Sequence, residues 1–208
     1  GGTVGDIRIC GADSTHKVRD VQLFATSDAS QDAILDAIRA LEHVTLLSAT
    51  DDVLEIHRHG AIATCARVPL ETVMDLRMVY TPGVARVCEL IARRPEAAWT
   101  YTARGQRIAI VTNGTAVLGL GDIGPLASLP VMEGKSAILA HFVGVSAEPV
   151  LIDSRDSHEI VDTVARIASG YGAIQLEDIA APACFEIEEA LQARLDIPVF
   201  HDDQHGTA

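Results

Sequence analysis

Aromatic residues make up only 4% of this 208-residue chain. Its core must therefore be aliphatic, and stacked nucleic-acid bases would find few platforms on it. Cysteine is scarce as well: Cys10, Cys65, Cys88 and Cys184 lie far apart and form no CxxC pair. That argues against a disulfide framework or a zinc site and points to a reducing cytoplasm. No apolar run is long enough to span a membrane and no signal peptide is visible, so no membrane partner is expected. Positive charge is also short, with 16 Lys and Arg against 29 Asp and Glu and a net charge of −13. Such a surface repels phosphate backbones and anionic lipid, which excludes nucleic acid as a partner. It would repel a small anionic substrate too, unless a metal or a lysine reversed the local field. What the chain does have is aliphatic bulk. At 48% hydrophobic residues it can bury a core and has no case for disorder. Its length suits one or two domains, and no linker, low-complexity tract or repeat marks a boundary.

Residues 5–59 form one compositional unit. Asp6-Ile7-Arg8-Ile9-Cys10 and Val18-Arg19-Asp20-Val21-Gln22-Leu23-Phe24 alternate polar with apolar, and Gly11-Ala12-Asp13-Ser14 is turn-like, so a hairpin is expected. Asp28 or Ser30 can cap a helix whose apolar face is Ala33, Ile34, Ala37, Ile38 and Leu41. Two more short strands are expected at Thr45-Leu46-Leu47 and Val53-Leu54-Glu55-Ile56. The order strand, strand, helix, strand, strand, with Arg19-Asp20-Val21, the helix ending Ala40-Leu41 and Val44 before the next strand, resembles the second half of an ACT domain. The resemblance implies a partial ACT-like α+β module over residues 1–60, with a possible small effector. The open sheet edge and apolar face would then be left exposed or be covered by another subunit, which points to a homodimer. The plainer alternative is a small α+β subdomain with no ligand.

Residues 60–80 read as a connector, with Gly60 breaking the preceding strand and Pro69 interrupting the next run. Thr81 before Pro82 then suits a helix start, with the helix running through Cys88, Leu90 and Ile91 to Arg93-Arg94. Tyr80 sits just ahead of it; a tyrosine there is ordinarily a packing residue. An α/β pattern starts at Arg107-Ile108-Ala109-Ile110-Val111-Thr112. Asn113-Gly114 signals a hairpin whose return arm leads into Gly119-Leu120-Gly121-Asp122-Ile123-Gly124. That glycine spacing has the shape of a dinucleotide fingerprint. Against this, the strand before it reads as a hairpin return arm, Asp153 follows later than the usual acid, and Pro125 and Pro130 make the next helix irregular. Backbone N–H groups held at a substrate carboxylate are an equal alternative. Lys135 is one of the chain's few lysines and lies in an apolar stretch; it could be a base with a depressed pKa or simply snorkel from a helix flank.

A strand at 149–152, a helix at about 156–169, a strand at 173–176, a helix at about 182–194 and a strand at 197–200 complete the pattern. In the last helix Phe185, Ile187, Ala190 and Leu191 are expected to be buried, and Glu186, Glu188 and Glu189 solvated. The last two strands each end in acids, Glu177-Asp178 and Asp202-Asp203. Ligands bind outside the carboxyl ends of such strands. Four carboxylates on one rim repel each other unless a base or a cation neutralises them, and oxygen ligands suit a hard divalent cation. A helix cap and a solvated turn are the alternative for the same residues.

Five segments occur in register: Tyr80-Thr81-Pro82-Gly83-Val84-Ala85, the 117–124 glycine segment, Met132-Glu133-Gly134-Lys135, Leu176-Glu177-Asp178-Ile179 and His201-Asp202-Asp203-Gln204-His205-Gly206-Thr207-Ala208. Over roughly residues 68–208 the chain resembles the malic enzymes, the bacterial type in particular. The resemblance implies an α/β N-terminal catalytic domain over residues 61–208 and oxidative decarboxylation of L-malate to pyruvate and CO2, with Mg²⁺ or Mn²⁺ and NAD or NADP. It implies Glu177, Asp178 and Asp203 as metal ligands, Lys135 as general base, Tyr80 as general acid and Asp202 as a residue that tunes Lys135. Ala116 stands where larger members carry a carboxylate-binding arginine. The family's NAD-binding Rossmann domain is expected beyond Ala208, so the chain reads as an N-terminal fragment unable to turn over malate alone. Competing expectations are an ACT-like regulatory and dimerisation module without catalysis, and a small dinucleotide-binding protein that uses the glycine loop.

Overall fold

The computed structural model describes residues 2–206; Thr207 and Ala208 of the closing motif lie outside the described residues. The chain divides into two compact units, Gly1–Asp52 and Val53–Ala208.

The first unit is the expected hairpin with one helix. Strands β1 (Gly2–Ala12) and β2 (Lys17–Ala25) pair antiparallel. Asp13 closes the turn, its Oδ1 accepting the backbone N–H groups of Thr15 and His16, both at 2.6 Å. Helix α1 (Asp28–Arg39) is capped by Ser27, whose Oγ accepts the Ser30 N–H at 3.2 Å. The cap is thus one residue ahead of Asp28, because only a residue outside the helix can offer its side chain to the first free N–H groups. The two further strands are not formed. Residues 44–51 have no regular structure, and Asp52–Ile56 is a short helix, α2. A strand needs a partner's backbone groups, and only β1 and β2 pair in this sheet. Two strands and one helix enclose no interior, so none of the described residues up to Asp52 is buried.

The second unit continues through α3 (Val73–Val79), α4 (Ala85–Arg93) and α5 (Ala98–Tyr101). A capping box starts α3, with the Thr72 and Asp75 side chains each accepting from the other residue's backbone N–H. Helix α4 begins at Ala85, four residues beyond Thr81, because a tight turn comes first in which the Val84 N–H donates to the Tyr80 carbonyl at 2.9 Å.

From residue 107 the chain builds a parallel sheet of β3 (Arg107–Thr112), β4 (Ser146–Leu151), β5 (Ala173–Leu176) and β6 (Val199–His201), in the order β4-β3-β5-β6. The crossovers are α6 (Gly124–Phe142), α7 (Ser157–Ile167) and α8 (Ala183–Arg194). Alternation along β3 sorts the core into two layers. Ala109 and Val111 pack with Ile160 and Val164 of α7 and Ile187 and Leu191 of α8, whereas Ile110 packs with Met132 of α6. The hairpin expected at Asn113-Gly114 is absent. Both edges of β3 are taken by β4 and β5, which leaves no place for an antiparallel return arm. The segment after Gly114 instead folds into a loop closed by a single bridge between Val117 and Gly121. Helix α6 also runs unbroken through Pro130, where an irregular start was expected. In α8, Glu188 is buried rather than solvated, and Phe185 and Ala190 are exposed.

From β3 the chain crosses to β4 on one side, and from β4 it crosses back to β5 on the other. The carboxyl ends of β3 and β5 therefore flank a switch point, where connections diverge and leave a crevice.

Candidate active site

Glu177 and Asp178 follow β5 directly, and Asp202 and Asp203 open a single π-helical turn, Asp202–Gly206, straight after β6. Lys135 reaches them from the middle of α6, on the opposite layer. Its Nζ lies 3.0 Å from Glu177 Oε1 and 2.5 Å from Asp202 Oδ2. Glu177 also accepts a hydrogen bond from Gln175 Nε2 at 2.7 Å. One carboxylate oxygen from each of Glu177, Asp178 and Asp203 lies within 4.8 Å of the other two. Five of the six residues singled out in the sequence thus meet at one place.

Asp178 is the pivot. Its backbone is left-handed, with φ of 53°. That conformation turns its N–H to Asp203 Oδ2 at 2.9 Å and its carbonyl to the N–H groups of Thr115 and Ala116 at 3.1 and 3.0 Å. Thr115 closes the circuit by accepting the Ala180 N–H at 2.9 Å and donating to Asn113 Oδ1 at 2.7 Å. The loop after β3 is thereby tied to the end of β5. Gly114 has φ of 66°, and a Cβ there would sit 2.2 Å from the Gly124 carbonyl oxygen, so only glycine fits. Gly119, Gly121 and Gly124 also have positive φ but face open space. Arg155 holds this loop through an ion pair to Asp122 at 2.7 Å.

The electrostatics follow from burial. Burial first, then repulsion from Asp203, pushes the Asp178 carboxyl up to about 6, with Lys135 opposing. Burial raises Glu177 as well, against the hydrogen bonds from Lys135 and Gln175. For Lys135, burial disfavours the ammonium, but its bonds to Asp202 and Glu177 outweigh that and hold it above the ordinary lysine range. So Lys135 is a charged partner in these carboxylate surroundings. The Asp178 Oδ2 is buried and has no hydrogen-bond partner among the described residues. An orphaned carboxylate oxygen facing two further acids, with oxygen donors throughout, fits a hard divalent cation.

Tyr80 is not brought to this cluster. It caps the end of α3, is 68% exposed, and its hydroxyl has no hydrogen-bond partner among the described residues. Conversely, Glu188 carries no signal in the sequence that marks it for the site. It sits behind the Asp202–Gly206 turn, accepting the His201 N–H at 2.9 Å and pairing with His205 Nδ1 at 2.6 Å. Three glutamates in four residues of a helix look like a solvated face; only the folded turn shows which one is needed inside.

Residues 59–192 match the family described as "Malic enzyme, N-terminal domain". The NAD-dependent malic enzyme of Geobacillus stearothermophilus is 47% identical over 208 residues, covering all of this chain and 44% of that protein. The NADP-dependent malic enzyme of Halomonas elongata is 53% identical over 149 residues, 72% of this chain and 35% of that one. Among solved structures, the malic enzyme of Pyrococcus horikoshii superposes with a TM-score of 0.74 at 48% identity, covering 76% of this chain and 37% of its own. The chain spans less than half the length of each of these relatives.

Proposed function

The chain belongs to the malic enzyme family, and on that premise we propose that it carries the cation-binding and acid–base part of an enzyme that converts L-malate to pyruvate and CO2 with reduction of NAD or NADP. One observation supports this most directly: Lys135 Nζ lies within 3.0 Å of both Glu177 and Asp202, beside the orphaned oxygen of Asp178. Glu177, Asp178 and Asp203 would hold Mg²⁺ or Mn²⁺, which supplies Lewis-acid polarisation of a substrate hydroxyl and carbonyl oxygen.

Lys135 takes the proton of the substrate hydroxyl at Nζ. A cation held by Glu177 would weaken the attraction that holds Lys135 charged and so favour its role as a base. Asp202 keeps the amine oriented and stabilises the ammonium that forms. Tyr80 supplies a proton to carbon from its hydroxyl, a role that needs the end of α3 to meet the carboxylates in the assembled enzyme. The loop over residues 113–124 offers backbone N–H groups to a substrate carboxylate, in place of an arginine at Ala116.

Residues 1–60 act in this proposal as an ACT-like module that binds a small effector and joins two copies into a homodimer, while residues 61–208 form the catalytic domain. The exposed apolar residues Val4, Ile9 and Phe24 on the hairpin support the dimer. A cytoplasmic location is supported by four cysteines that are all free. Among the described residues no helix is long and apolar enough to cross a membrane.

Calorimetry tests the core of the proposal. Mn²⁺ should bind the chain, and Asp203→Asn should abolish that binding. Mn²⁺ affinity unchanged by Asp203→Asn would overturn the cation site, and NAD⁺ binding lost on Gly121→Val would favour the dinucleotide alternative.

A further inference from the structure

Glu188 is 5% exposed, yet it touches none of Lys135, Glu177, Asp178, Asp202 or Asp203 by hydrogen bond or ion pair. A buried carboxylate must be matched by polar partners, and its two partners have a particular placement. Oε1 accepts the backbone N–H of His201, the last residue of β6, at 2.9 Å. Oε2 lies 2.6 Å from Nδ1 of His205, near the far end of the Asp202–Gly206 turn. The two contacts bracket Asp202 and Asp203. The helix that offers the carboxylate is well anchored, because its neighbours Cys184, Ile187 and Leu191 are fully buried in the larger core layer. The ring of His205 also packs against Phe185 of the same helix, with centroids 5.8 Å apart.

We propose that Glu188 is a positioning residue, clamping the turn so that Asp202 meets Lys135 and Asp203 meets Asp178. The proposal rests on the assignment of Glu177, Asp178 and Asp203 as a cation site. A short turn after a three-residue strand has few contacts of its own to fix where its side chains point. One hydrogen bond accepted from His201 and one close contact to His205, both made by a single rigid carboxylate, supply that registration. Without Glu188 the His201 N–H would be buried without an acceptor, and the turn would be free to shift away from β5. Residues that orient metal ligands without touching the metal typically change affinity by about 10- to 100-fold when removed.

The test is Mn²⁺ binding to the 208-residue chain, followed by paramagnetic resonance of free Mn²⁺, with hydrogen exchange at the His201 amide measured alongside. Glu188→Gln keeps an acceptor for the His201 N–H but loses the charge facing His205; it should weaken Mn²⁺ binding several-fold and leave His201 exchange slow. Glu188→Ala should weaken binding by about tenfold or more and speed exchange at His201. His205→Ala cuts one arm of the clamp while the His201 N–H keeps its acceptor, so it carries the test if Glu188→Ala fails to fold; it should match Glu188→Gln. Binding within about twofold of the unaltered chain in both Glu188→Gln and His205→Ala, while Asp203→Asn abolishes it, would overturn the clamp and leave the cation site standing. Binding unaffected by Asp203→Asn would overturn both.

Discussion

The hairpin unit and the parallel sheet are made from similar material and end in opposite states. Strands β1 and β2 carry Val4, Ile7, Ile9, Val18, Val21 and Phe24, and all six stay exposed. Strands β3 and β5 carry Ala109, Ile110, Val111, Ile174 and Leu176, and all five are fully buried. The difference lies in what covers them. The hairpin has one helix, whereas the sheet has α6 on one face and α7 and α8 on the other. A sheet sealed on both faces can keep ionised groups in place at its rim, because the strand ends that carry them cannot move. A hairpin with an open face has no such rim, and the chain places none of its candidate chemistry there.

The contrast can be broken by mutation. Leu191→Ala in α8 removes a fully buried side chain and should cost about 2–5 kcal/mol by chemical denaturation. A loss below about 1 kcal/mol would mean that the layer is looser than its burial implies. Next in size is a pH effect at the rim. The Asp178 carboxyl is raised from 3.8 to about 6, so the folded state holds its proton where the unfolded state has lost it. This contribution to stability is full below the lower value and is lost as pH rises through about 6. It amounts to roughly 1–3 kcal/mol. Glu177 is shifted the same way and adds to it. Asp178→Asn should flatten the profile, and saturating Mn²⁺ should reverse its slope, because the cation stabilises the ionised carboxylates. A slope that survives Asp178→Asn unchanged would assign it to other groups. The smallest effect belongs to the hairpin. Ile9 is 63% exposed, so Ile9→Ser should change stability by less than about 0.5 kcal/mol in a dilute monomer. If a second copy covers this face, the same change should instead shift the dimer–monomer equilibrium seen by light scattering.

Local signals in the sequence located most of the sheet. The run Ile108–Val111 of β3 is continuously apolar, as a strand buried on both faces is expected to be, and Asp156 caps α7 through the N–H groups of His158 and Glu159. The acid pairs were visible as residues, but nothing in their spacing could bring Lys135 to them; that depends on α6 packing against the sheet 40 and more positions earlier in the chain. Where local signals misled, a distant strand or its absence decided the outcome. Asn113-Gly114 carries a strong hairpin signature, yet β5 pairs in the place a return arm would need. Thr45-Leu46-Leu47 has the composition of a strand, but no strand pairs with it. Glu188 was hidden for the same reason, since its partners lie 13 and 17 positions further on.

The left-handed backbone of Asp178 sets which replacements this position can accept. Most side chains are penalised there by about 1–2 kcal/mol before any contact is considered, and asparagine is among the few that adopt the conformation readily. Asparagine would also leave the N–H to Asp203 and the carbonyl to Thr115 and Ala116 in place, since both belong to the backbone. Asp178→Asn can therefore empty the site of one charge while sparing its shape, and Asp178→Val would disturb charge and chain path together. A library screened for folding alone should keep the first and discard the second, so this codon can be silenced chemically without the protein registering damage.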